Sequence, residues 1–196
     1  MEYIKSLAQR TLSLRLAALV AATVASVILQ NAVQAVLNGF YARSGYPVPY
    51  YVGQTSFSAD KLEGWYQTMD AAGTLGIYWQ TQLVDFAFVA ATAISHFLLL
   101  VLVARLLPDG RWRRAALALV VVGLAAPAFD ALENLVSFIA LANPNEVNPV
   151  VAVVYSTVAV LKFAGFFAVY LWLPVGLVVA AVSRLSSARR ARFETA

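Results

Sequence analysis

The sequence predicts an all-α, polytopic membrane protein: a bundle of four transmembrane helices with one outer loop that carries a short amphipathic helix. Three observations predict it. Hydrophobic residues make up 61% of the 196-residue chain and charged residues 12%, about half the charged share of a soluble domain. Four apolar runs exceed the ~18 residues that mark a spanning helix. The cations gather on alternate connections between those runs, as the positive-inside rule requires. Residues 1–196 read as a single integral membrane domain.

The first span, 14–37, follows Lys5, Arg10 and Arg15. A cleaved signal peptide is the competing reading, because Val33-Gln34-Ala35 resembles a cleavage site. The apolar run is too long for a signal-peptide core, and cleavage would leave an odd number of spans. The second span is 77–106 and the third 115–142, with Arg105, Arg111, Arg113 and Arg114 around their connection. The fourth, 149–182, is longer than the ~20 residues a bilayer requires, so it tilts, bends at Pro174 or runs past the membrane surface. Arg184, Arg189, Arg190 and Arg192 follow it. The two other loops carry only Arg43 and Lys61. Eleven cations thus fall on one side and two on the other, with Lys162 alone inside a span. Both termini are therefore expected in the cytoplasm.

The net charge of +4 does not point to nucleic acid, because the basic residues are not interleaved with a soluble recognition fold. The clusters at 111–114 and 189–190 are topology signals and candidate contacts for anionic headgroups, which makes membrane lipids expected partners. The absence of cysteine excludes disulfides, thiolate metal sites and cysteine nucleophiles.

The loop 38–76 is the one sizeable segment outside the bilayer. Its first half, YARSGYPVPYYVGQTSF, favours turns and extended chain. In its second half Ser58 can cap a helix, Asp60 suits the N-terminal end, and Leu62, Trp65, Tyr66 and Met69 recur at helical spacing. Gly73 is a plausible stop, while Gly64 weakens the middle. Such a helix lies in the interface with its aromatics in the headgroup belt, or covers an opening as a lid; the two readings are compatible.

The third span contains FDALENLVSF, which sets Asp130, Glu133 and Asn134 inside an otherwise apolar run. An ionisable group at the bilayer centre costs about 2.5–3.5 kcal/mol on insertion scales, so these groups face the bundle interior. Asp130, Glu133 and Asn134, at i, i+3 and i+4, share one helix face. Tyr78, Thr81, Gln82 and Asp85 share a face of the second span. Gln30, Gln34 and Asn38 do so on the first, with Asn31 beside them, and Tyr155 aligns with Lys162 on the fourth. One buried polar cluster, reached from the outer side, is the expectation. Three acids against one lysine leave surplus negative charge, so at least one carboxyl is expected to hold its proton near neutral pH.

Metal binding is disfavoured: the lone histidine, His96, lies about 16 Å deeper than Asp85, too far for one coordination shell. Carboxylates could hold a hard cation, but Lys162 nearby argues against it. A Schiff base on Lys162 fits four spans poorly. Pro127 frees the carbonyl of Gly123 to face a cavity or a partner. No nucleotide, haem or dinucleotide motif is present, and no cofactor is expected.

The combination YWQTQLVDF, Tyr78–Phe86, with FDALEN, Phe129–Asn134, resembles an uncharacterised family of small bacterial four-span membrane proteins. That resemblance implies topology and a bacterial plasma membrane. More remotely, a four-helix membrane bundle with buried acids is similar in architecture to the sterol-isomerase and sigma-2-receptor superfamily.

Two uses of such a cluster stand beside purely structural glue, which buried polar groups can also supply. The first is binding or acid–base processing of a lipophilic small molecule such as a lipid, terpenoid or sterol-like compound. Asp130 and Glu133 would serve as acid and base, with Lys162 and Asp85 setting their protonation. Asn134, Gln82, Gln34, Asn31, Tyr78, Tyr155 and Trp65 are the candidate ligand contacts, with Phe129 and Phe166 as walls. The second is a small proton-coupled transporter or channel, as a homo-oligomer, since four helices alone make a narrow pathway. The third reading is an accessory subunit in which the cluster only joins helices.

Overall fold

The computed structural model describes residues 2–194, with side chains over 3–4 and 6–187. The side chains of Lys5, Arg189, Arg190 and Arg192 lie outside the described ones. Among the described residues seven helices follow one another: α1 (Glu2–Leu12), α2 (Leu16–Ser44), α3 (Tyr50–Gln54), α4 (Ala59–Ala71), α5 (Leu75–Leu106), α6 (Arg111–Ala142) and α7 (Pro149–Glu194). There is no strand among the described residues. Four of these helices are long and apolar enough to cross a membrane: Leu16–Ser44, Leu75–Leu106, Arg111–Ala142 and Pro149–Ser187. The chain is an all-α, multi-pass membrane protein. Large apolar side chains left exposed along the four helices, such as Ile28, Leu83, Ile139 and Phe167, have lipid as their natural solvent.

The helix ends differ from the sequence expectation in instructive ways. α2 passes Asn38 and Gly39 and stops only at Ser44, because Gly45 takes the left-handed conformation (φ 63°) that ends helices and Pro47 follows it. α7 continues through Pro174 without a break to Glu194, so of the outcomes its length allowed it runs on beyond the span. α1 was legible only as charge before a span. It forms because Ile4, Ala8 and Leu12 recur on one face and pack inward, while Tyr3 and Leu7 stay exposed.

α4 begins and ends as its sequence requires. The Ser58 side chain accepts from the Lys61 N–H at 3.3 Å, Asp60 occupies the first turn, and Gly73 adopts φ 71° just beyond the last turn. Leu62, Tyr66 and Met69 are fully buried, so its apolar face is covered by protein. Burial of Leu62 and Met69 contributes about 1.5–3 kcal/mol each.

The chain divides into two compact units, each with its own packing. The first comprises Met1–Ser26, Ala93–Leu124 and Gly165–Ala196. Its core is Ala8, Leu19, Leu100, Val101, Val120 and Val169, with Ile4, Leu12, Phe97 and Trp172 packed against it. Gly123 and Gly176 allow close helix contact: an added Cβ would meet Leu100 at 2.7 Å and Val103 at 2.5 Å respectively. His96 Nδ1 lies 3.3 Å from the carbonyl oxygen of Gly123. That is the carbonyl that Pro127, four residues on, cannot bond, so His96 supplies the donor that the helix lacks.

The second unit comprises Val27–Thr92 and Ala125–Ala164. Leu62, Tyr66, Met69, Tyr78, Val136, Ala140, Leu141, Val147, Ala152 and Tyr155 form its core. Two hydrogen bonds tie α3 and α4 down. The Val147 N–H donates to Glu63 Oε1 at 2.7 Å, and the Phe57 N–H donates to Ser156 Oγ at 3.0 Å. Phe57 itself has φ 51°, a conformation that costs a bulky residue of order 1–3 kcal/mol.

Candidate functional site

Within the second unit, three long helices each bring polar side chains inward at helical spacing. α5 contributes Tyr78, Gln82 and Asp85, α6 contributes Asp130, Glu133, Asn134 and Ser137, and α7 contributes Tyr155, Ser156 and Lys162. All are buried; the most exposed, Asp85, retains 5% of its surface. Ionisable groups so placed must be matched by charge or hydrogen bonds.

Lys162 is the hub. Its Nζ lies 3.0 Å from Asp130 Oδ1 and also forms an ion pair with Glu133 Oε2. Because Asp130 and Glu133 are one turn apart on α6, both carboxylates reach a single ammonium. The face of the Phe163 ring lies 4.8 Å from the same nitrogen, a cation–π distance. Asp85 is held differently. Asn134 Nδ2 donates to Asp85 Oδ2 at 2.6 Å, which joins α5 to α6 through an amide rather than through the lysine. Lys162 thus pairs with both acids of α6.

Other polar atoms around this core have no protein partner among the described residues. Both amide atoms of Gln82, the Asn134 carbonyl oxygen, Glu133 Oε1 and the Tyr155 hydroxyl are buried in this state. Most buried polar atoms in native proteins are satisfied, and orphaned ones cost about 1–3 kcal/mol each. The five atoms named lie on three helices, two of them on Glu133 and Asn134 of the ionic cluster itself.

A tyrosine layer borders the cluster. The Tyr46 and Tyr78 rings stack with centroids 4.9 Å apart, and Tyr41 and Tyr66 lie 6.2 and 6.0 Å from Tyr78. Gly53 makes room for Tyr46, since a Cβ there would sit 2.7 Å from the ring's Cε1. Burial pushes the phenols of Tyr46 and Tyr66 well above the ordinary tyrosine range, so both stay protonated and neutral.

The sequence-selected residues divide clearly. Asp85, Asp130, Glu133, Lys162, Asn134, Gln82, Tyr78 and Tyr155 lie on the buried faces of α5, α6 and α7. Gln34 is half-buried and donates along its own helix to Asn38 Oδ1 at 2.8 Å. Asn31 is exposed and donates back to the Val27 carbonyl at 2.8 Å. The amides of α2 satisfy themselves locally, so the expected polar stripe of the first span does not join the cluster. Trp65 packs on Tyr46 at 5.8 Å, in the layer rather than against the acids. Phe129 is half-buried, and Phe166 stands edge-on to His96 at 5.5 Å within the first unit.

Tyr41, Tyr46, Tyr66 and Ser137 were not selected. Ser137 was legible, four residues beyond Glu133 on the same face. Tyr41 continues the Gln34–Asn38 line by one turn. Nothing local marks Tyr46, which sits in a proline-rich turn.

Fold and site define the class: an α-helical multi-pass membrane protein with an enclosed, partly unsatisfied ionic cluster. Comparison with protein-family models, curated proteins and solved structures finds no match for the chain.

Proposed function

We propose that the chain is a membrane-embedded binding protein or acid–base enzyme for a lipophilic small molecule, whose polar end is received by the α5–α6–α7 cluster. The observation that carries this is the orphaned set on the buried faces of α5, α6 and α7: the Gln82 amide, the Asn134 carbonyl, Glu133 Oε1 and the Tyr155 hydroxyl. An amphiphile with a hydroxyl, carbonyl or amide end would satisfy donors and acceptors together. Asp130 and Glu133, sharing one ammonium, are the acid–base pair, and Asp85 is steadied by Asn134. The route proposed for entry runs past α4 and the 45–57 segment, whose Phe57–Ser156 and Glu63–Val147 hydrogen bonds would open with it. The placement of cations supports cytoplasmic termini, and the quoted motifs support a bacterial plasma membrane.

A proton-coupled transporter is the second reading. The same ion-pair hub favours it, since intramembrane carboxylates beside a lysine also serve as proton relays.

The test is untargeted mass spectrometry of the molecules that co-purify in mild detergent with the wild type and with Asp130→Asn and Glu133→Gln. A defined lipophile enriched with the wild type and lost or altered in the variants is expected. The same bulk lipid in all three would remove the binding reading. Uptake into proteoliposomes that follows a pH gradient and disappears in Glu133→Gln would favour transport instead.

A further inference from the structure

In the first unit, α1 and α6 form a groove of about 570 Å³ lined by Ile4, Ala8, Gln9, Arg114, Leu117, Ala118, Val121 and Val122. The volume falls within the range of small-molecule sites. The α6 lining is a single face: positions 114, 117, 118, 121 and 122 follow the i, i+3, i+4, i+7, i+8 pattern. It opens with a cation and is apolar from there on, over about 12 Å. α1 supplies the opposite wall through Ile4 and Ala8, with the Gln9 amide as its polar group.

The neighbouring arginines are engaged. Arg105 donates to the Leu12 carbonyl. Arg113 pairs with Asp109 and donates to the Ala104 and Leu107 carbonyls. Arg114 has no carboxylate partner among the described residues. A cation with no carboxylate partner among the described residues, at the head of an apolar stripe, complements one kind of molecule, an anionic amphiphile. In a multi-pass membrane protein the bilayer supplies that molecule at high concentration.

We infer that the α1–α6 groove binds one anionic phospholipid, its phosphate on Arg114 and Gln9 and an acyl chain along Leu117, Ala118, Val121 and Val122. The lipid completes the contact between α1 and the span, and α1 lies as an interfacial helix with Tyr3 and Leu7 turned to the bilayer.

The test is native mass spectrometry of the detergent-purified chain titrated with phosphatidylglycerol, with phosphatidylcholine and inorganic phosphate as separate arms. Wild type should retain one phosphatidylglycerol per chain in preference to phosphatidylcholine, and phosphate alone should neither bind nor compete. Arg114→Gln should weaken retention about fivefold, equivalent to the ~1 kcal/mol of one cation near an anionic lipid surface. Ala118→Phe, which fills the groove and leaves the charge, should abolish it. Circular dichroism of both variants checks that the helices persist, and Leu185→Phe, on the exposed surface of α7, is the control that should retain lipid as the wild type does. Equal retention of both lipids, or unchanged retention in either groove variant, would overturn the assignment. So would competition by phosphate alone, or occupation of the groove by a protein.

Discussion

Lys162→Met tests the ion-pair hub most sharply, because it removes one charge and strands two. At 3.0 Å from Asp130 Oδ1, and with an effective dielectric near 20, a single pair attracts by roughly 5–6 kcal/mol before desolvation is subtracted. Desolvation offsets several kcal/mol of that, so the intact pair adds little net stability. Removing one partner is different: the remaining carboxyls lose their counter-charge and stay buried, which costs about 3–5 kcal/mol. A stranded carboxyl can shed its charge by taking a proton, which places the expected loss near 3 kcal/mol. For a chain of this length that is a fall in melting temperature of about 6–12 °C, read by intrinsic fluorescence in detergent. The triple variant Lys162→Met, Asp130→Asn, Glu133→Gln removes all three charges together and should recover most of the loss. A single-variant loss below about 1 kcal/mol, or a triple variant no more stable than the single, would refute the hub as drawn.

Three further predictions concern the layer beside the cluster and its ties. Tyr46 and Tyr66 have phenols raised by burial. Their folded state therefore favours the neutral form, so stability is complete below the unfolded-tyrosine pKa of about 10 and falls as pH rises above it. Melting temperatures from pH 8 to 11 should show that fall, and Tyr46→Phe with Tyr66→Phe should make it shallower than in the wild type. Gly53→Ala should destabilise by about 1–3 kcal/mol, since its Cβ would meet the Tyr46 ring. Gly64→Ala, with nothing within 4 Å in the middle of α4, should stabilise by about 0.5–1 kcal/mol; equal effects at the two positions would contradict the packing described. Glu63→Ala leaves the Val147 N–H without its acceptor and should cost about 1–3 kcal/mol, with faster amide exchange confined to α4 and the α6–α7 connection.

Helical spacing made much of this legible beforehand. Residues 130, 133 and 134 had to share a face of α6, and Asp85 with Gln82 a face of α5, because both spacings are fixed by 3.6 residues per turn. Cation placement and run length were enough for four spans. Pairing was not legible: spacing on one helix cannot say that Lys162 reaches both α6 acids while Asp85 goes to Asn134. Depth was a poor guide on α2, where short amides bond their own helix's carbonyl or a neighbour one turn away, as Asn31 and Gln34 do. The tyrosine layer depends on contacts between a proline-rich turn, α2, α4 and α5, which no local pattern encodes. Pro127 is the opposite case, since its missing N–H marked the Gly123 carbonyl that His96 contacts.

The most direct measurement is Gln82→Leu, followed for both stability and bound lipophile. If the cluster is a receiving site, Gln82's two unpartnered amide atoms are a stability cost kept for function. The leucine variant should then melt higher, by at least about 1 kcal/mol, and lose the co-purified molecule. A variant that melts lower, with the same molecules bound as in the wild type, would mean that Gln82 holds helices together and that the cluster is a structural fixture.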